Sequence, residues 1–115
     1  MRDEVMHKPY RVAIVTLDSH AAGPVARVAP RLAAEFPGLQ VEVHAAGEWS
    51  DCPGAREAAQ AAVARADLIV ANLLFLEEHL DAIVPTIEAR RDNCDAVVGL
   101  ISDSKVVKLT RMGDL

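Results

Sequence analysis

Three runs of the chain, 11–17 (RVAIVTL), 67–72 (DLIVAN) and 95–101 (DAVVGLI), are rich in β-branched and aliphatic residues and do not alternate with polar ones. A strand covered on both faces reads as such a continuous run, whereas a strand with one wet face alternates with period two. The three runs therefore predict strands buried on both faces of a parallel sheet. A fourth segment, in which Leu39, Val41 and Val43 alternate with Gln40, Glu42 and His44, predicts a strand at the sheet edge.

Between these runs the period changes to that of a helix. Pro24 suits a first helical turn, and Val25, Val28, Ala29, Leu32, Ala33 and Phe36 follow at helical spacing. Pro30 predicts a kink there, or a helix that starts near it. Residues 55–66 are Ala-rich, with Ala58, Ala59, Ala62, Val63 and Ala66 as the expected inner face. Residues 77–93 form a third helical segment with Leu80, Ile83, Val84 and Ile87 inward, interrupted at Pro85. Ser102 or Asp103 is placed to cap a last amphipathic segment through Arg111.

The order β-α-β-α-β-α-β-α with short connections implies an α/β fold. With the second strand at the edge, the expected architecture is a flavodoxin-like or half-Rossmann three-layer sandwich. Its parallel sheet has the order 2-1-3-4, with helices on both faces. At 115 residues the chain makes one domain over 11–115, preceded by a polar leader, 1–10. The fourth strand reads as buried, yet nothing follows to pair with its outer edge. The expectation is a piece of a longer chain, or an edge that meets a partner.

Composition narrows the function. The chain is 51% hydrophobic, too apolar for a disordered segment. Its apolar runs fall far short of the roughly 18 residues of a membrane span, and its charged start lacks a signal-peptide core, so a cytoplasmic setting is expected. A net charge of −5 with scattered basic residues and only 3% aromatics argues against nucleic acid as a partner.

Ligands of open α/β sheets sit beyond the C-terminal strand ends. That crevice would gather Asp18, Ser19 and His20, then Glu48 and Trp49, then Asn72, Glu77, Glu78 and His79, and finally Ser102, Asp103 and Ser104. Asp18-Ser19-His20 holds the residue types of a hydrolase triad, but consecutive residues cannot stack in line as nucleophile, base and orienter. The simpler reading is that Asp18 and Ser19 bond turn amides, with His20 left as a binding group. Glu77, Glu78 and His79 lack metal-ligand spacing and read as an acidic first helical turn, and no metal site is expected. His44 reads as solvated. No glycine-rich phosphate loop follows the first strand, so neither a dinucleotide nor ATP is expected on this segment. Cys52 and Cys94 fall at opposite ends of the sheet, too far apart for a disulfide.

Taken together, VAIVTLDSH at 12–20, ADLIVANLLFLEEH at 66–79, and CDAVVGLIS at 94–102 running into VVKLTRMG at 106–113 resemble the N-terminal domain of the magnesium chelatase large (H) subunit. The T-L-D-S-H loop is similar to the bacteriochlorophyll-pathway version. The resemblance covers residues 11–115. It implies a segment of a porphyrin-binding subunit that works with the I and D subunits to insert Mg²⁺ into protoporphyrin IX at the expense of ATP. A related cobaltochelatase and a free-standing flavodoxin-like binding module are the alternatives. The resemblance implies no catalytic residue and no cofactor on this segment, only a structural or docking role toward the rest of the large chelatase chain. Asp18, Ser19 and His20 are the positions matching a family motif, as candidate ligand contacts.

Overall fold

The computed structural model describes residues 9–18, 20 and 22–112. Most of the expected leader, together with Ser19, lies outside the described residues. Five strands form one sheet: β1 (Tyr10–Thr16), β2 (Leu39–Ala45), β3 (Leu68–Asn72), β4 (Ala96–Leu100) and β5 (Arg111–Met112), in the order β2-β1-β3-β4-β5. The first four run parallel in the expected order, and β2 is an edge.

The outer edge of β4 departs from expectation. β5 pairs antiparallel with it, Met112 opposite Ala96 and Arg111 opposite Val97. The expected last amphipathic helix shrinks to one turn, α4 (Ser104–Val107), capped by the Asp103 carboxylate, which accepts from Lys105 N at 2.9 Å. The chain then reverses quickly enough for two more residues to pair with two of the five residues of β4. Period-based reading misses so short a strand because two residues carry no pattern.

The remaining helices are α1 (Ala22–Glu35), α2 (Ala55–Ala64) and α3 (Glu77–Arg90), with a 3₁₀ turn at Ala46–Glu48 and another at Arg91–Asn93. Pro30 and Pro85 lie inside α1 and α3, and neither helix stops there. Each proline deprives the carbonyl four residues back of its donor. Those carbonyls belong to Ala26 and Asp81, both exposed residues, where solvent can replace the missing donor.

The core lies between the sheet and α2, α3 and α4. Ala13 and Val15 of β1, Ile69 and Ala71 of β3, and Val97 of β4 are buried against Ala59, Ala62, Val63, Ile83, Ile87 and Val106. Of the expected inner positions, Ala59, Ala62, Val63 and Ala66 are buried and Ala58 is exposed. Gln60 Nε2 donates to Ala82 O at 2.8 Å and fixes α2 to α3. Gly99 lets α4 lie directly on β4, since a Cβ there would sit 2.5 Å from Val106 O.

The opposite face of the sheet is different. The strands expected to be buried on both faces alternate in burial, and Val12, Ile14, Leu68, Val70, Ala96 and Val98 are only half-buried. α1 is the helix on that side; it packs on β2, and none of its described side chains is fully buried. The sequence writes two dry faces and the fold dries one.

Candidate functional site

At the N-terminal ends of the strands, side chains clip the sheet together. Asp67 Oδ2 accepts from Arg11 N at 2.9 Å, and Tyr10 Oη donates to Asp95 Oδ2 at 2.9 Å. Burial, then the bond to Asp95 and that carboxylate's charge, push the Tyr10 phenol from its ordinary 10.0 up to about 12. On β2, His44 is half-buried rather than solvated, with its Nε2 3.1 Å from Glu42 Oε1. Burial would raise the Glu42 carboxyl, but the bonds from His44 and Arg65 outweigh it and hold the group below its usual range. Cys52 is exposed and Cys94 buried; both are free, and burial pushes the Cys94 thiol up.

The candidate crevice lies at the other end. After β1, Asp18 Oδ1 accepts from His20 N at 2.8 Å, the turn-forming bond that Asp side chains make two residues on. Asp18 and His20 are both exposed. One oxygen of Asp18 is thus engaged by the turn.

The loops after β3 and β4 are laced to each other. Leu73 N donates to Ile101 O at 2.9 Å, Leu74 N to Ser102 Oγ at 3.1 Å, and Asp103 N to Leu74 O at 2.9 Å. Leu74 is fully buried and pins the first loop. Leu73 at φ 59° and Ile101 at φ 42° hold left-handed backbone, which is costly for a side-chain-bearing residue and most of all for a β-branched one. Ile101 is nonetheless 72% exposed, beside Leu100 at 48%. Ser102 and Asp103 thus serve the clasp, while Lys105 Nζ reaches Glu77 Oε1 at 3.3 Å across it.

His79 lies in the first turn of α3 and beside Trp49, as expected, but its burial was not foreseen. It is buried, and its ring meets Trp49 edge to face with centroids 5.6 Å apart and an interplanar angle of 81°. Its Nδ1 is buried with no hydrogen-bond partner. A cavity of about 200 Å³ beside this pair is lined by Trp49, Ser50, Arg56, Glu78 and His79. The missed signal was spacing: His79, Ile83 and Ile87 recur every four residues and so share the buried stripe of α3. Among the described residues, no three His, Cys, Asp or Glu side chains come together as a metal site.

Comparison with known proteins gives the chain a family. The family model described as a domain of unknown function, DUF3479, matches residues 11–115, starting one residue into β1. The chain belongs to the DUF3479 family. This DUF3479 chain is 58% identical over 106 residues to the magnesium-chelatase H subunit of Cereibacter sphaeroides, and 57% over 111 residues to that of Rhodobacter capsulatus. The matches take in 92% and 95% of the chain but 9% of each relative, so the chain spans less than a tenth of the length of the curated relatives it matches. Among the described residues, no helix is long and apolar enough to cross a membrane.

Proposed function

We propose that this DUF3479 chain is the N-terminal structural and docking module of a magnesium-chelatase H subunit acting in bacteriochlorophyll biosynthesis in the cytoplasm. The observation that carries the reading is identity of 57–58% across almost the whole chain to two proteins of that name. Both names specify magnesium, which favours this reading over a cobaltochelatase. In the whole enzyme the H subunit would bind protoporphyrin IX, and the I and D subunits would hydrolyse ATP to drive Mg²⁺ into it.

The chemistry supports a supporting role for this segment. Metal insertion must take two protons from pyrrole nitrogens and strip water from a tightly hydrated Mg²⁺. A cavity of about 570 Å³ between α1 and the sheet is walled, among the described residues, by apolar side chains and the Tyr10 ring, with no carboxylate or imidazole among them to accept a proton. Asp18, Ser19 and His20 remain the residues proposed for a minor ligand contact from the first loop.

Absorbance titration of the chain with protoporphyrin IX tests the assignment, beside the same titration of a full-length H subunit. The expected result is tight one-to-one binding by the full-length protein alone. Tight one-to-one binding by the 115-residue chain would overturn the structural role.

A further inference from the structure

We infer that the sheet face shared with α1 is the seat of one amphipathic helix, supplied by the polypeptide that lies outside the matched region in the longer relatives. This rests on the module reading above. The pairing register sets Val12, Leu68 and Ala96 in one row across β1, β3 and β4, and Ile14, Val70 and Val98 in the next. All six are half-buried, though their strand neighbours on the other face are buried. Strands written as continuous apolar runs belong to sheets covered on both faces. Among the described residues, no helix covers this face of β3 and β4.

The space left matches a helix. Strands lie about 4.8 Å apart, so β3 and β4 present a band roughly 10 Å wide and, at about 3.3 Å per residue over five residues, some 17 Å long. A helix with its side chains is about 10–12 Å across and packs about 8–10 Å from its neighbour. One helix beside α1 fills that band and meets the side of α1 that carries Val28, 44% exposed although it lines the apolar cavity. The six row residues carry no charge, which suits the apolar face of such a helix. The opening also continues to Leu100 and Ile101 at the strand end, both exposed.

Area decides between occupants. The band is on the order of 200 Å², while a stable interface between separate chains buries about 800 Å² per partner. A second copy of the chain is therefore a poor fit. A helix tethered in the same polypeptide needs far less area, because its effective concentration is already high. The relatives leave 91% of their length outside the match, ample chain to supply it.

The test uses hydroxyl-radical footprinting read by mass spectrometry on two samples. One is this chain alone; the other is the full-length Cereibacter sphaeroides protein with its matched region replaced by residues 11–115. Oxidation of Leu100 and Val28 is expected to fall roughly tenfold in the full-length protein, as for a site about 90% occupied, while exposed Cys52 near α2 reacts equally in both. Leu100→Lys provides a second arm: it should leave the isolated chain as protease-resistant as wild type and make the same region of the full-length protein cleavable. Protection of Cys52 without Leu100 and Val28 would overturn this face and leave the docking reading standing. No protection anywhere would overturn the docking reading itself. Protection in the isolated chain that grows with concentration, with dimers by sedimentation, would make a second copy the occupant and overturn the inference.

Discussion

Substituting Gly99 by alanine tests whether α4 truly rests on bare backbone. A Cβ at this position would lie 2.5 Å from Val106 O, 3.0 Å from Val106 C and 3.1 Å from Val107 Cα. All three are main-chain atoms, so no side chain can rotate away; α4 must move by about the difference from an ordinary contact, near 1 Å. The helix is a single turn held by the Asp103 cap and by Val106, which is fully buried. Overpacking of this kind costs about 1–3 kcal/mol. For a domain of this size that corresponds to a fall in Tm of about 4 °C per kcal/mol. Urea unfolding followed by circular dichroism measures it. Gly23→Ala is the internal control: its Cβ meets nothing within 4 Å, and it sits in the first turn of α1. There the same change should be neutral or stabilise by up to about 1 kcal/mol. A Gly99→Ala protein within about 0.5 kcal/mol of wild type, the range of a plain surface substitution, would refute the close packing of α4 on β4.

Two further outcomes follow from the polar groups. Tyr10 is the only tyrosine, so ultraviolet titration of phenolate absorbance reports it alone, and the folded midpoint is expected near 12. A folded value above the unfolded one means that the stabilisation is complete below pH 10 and is lost as pH rises from 10 through 12; Asp95→Asn should move the midpoint back toward 10, and an unmoved midpoint would deny the bond a role. At His79, replacement by phenylalanine keeps the edge contact with Trp49 and removes the orphaned Nδ1. It should stabilise the chain by about 1 kcal/mol in the same urea assay; a loss of more than that would mean Nδ1 has a partner.

The legibility of the chain followed the length of its patterns. β1, β3 and β4 were readable because four to six consecutive residues without a charge or an amide leave few alternatives, and β2 because alternation marks an edge. α2 and α3 were readable from helical spacing, although Ala58 of the expected inner face of α2 is exposed. β5 was not readable, since Arg111–Met112 becomes a strand only by meeting Ala96 and Val97. In the crevice, the Asp18 turn was foreseen from residue chemistry. The clasp of Leu73 with Ile101 was not, because left-handed backbone at leucine and isoleucine opposes local preference and is imposed by the hydrogen bonds between the two loops. His79 fell between these cases: its place in the first turn of α3 was foreseen, but its four-residue spacing from Ile83 and Ile87, which puts it on the buried stripe, was not used.

Sequence alone determined the kind of layer this protein builds, a parallel sheet with apolar side chains toward both faces, because side-chain polarity and period are local properties of the chain. Which face is closed was decided by tertiary structure. Three helices gather over one side and one over the other, so residues of equal hydrophobicity, such as Ile69 and Val70, end at different exposures. Burial depends on what stands opposite a side chain, and only the assembled fold supplies that.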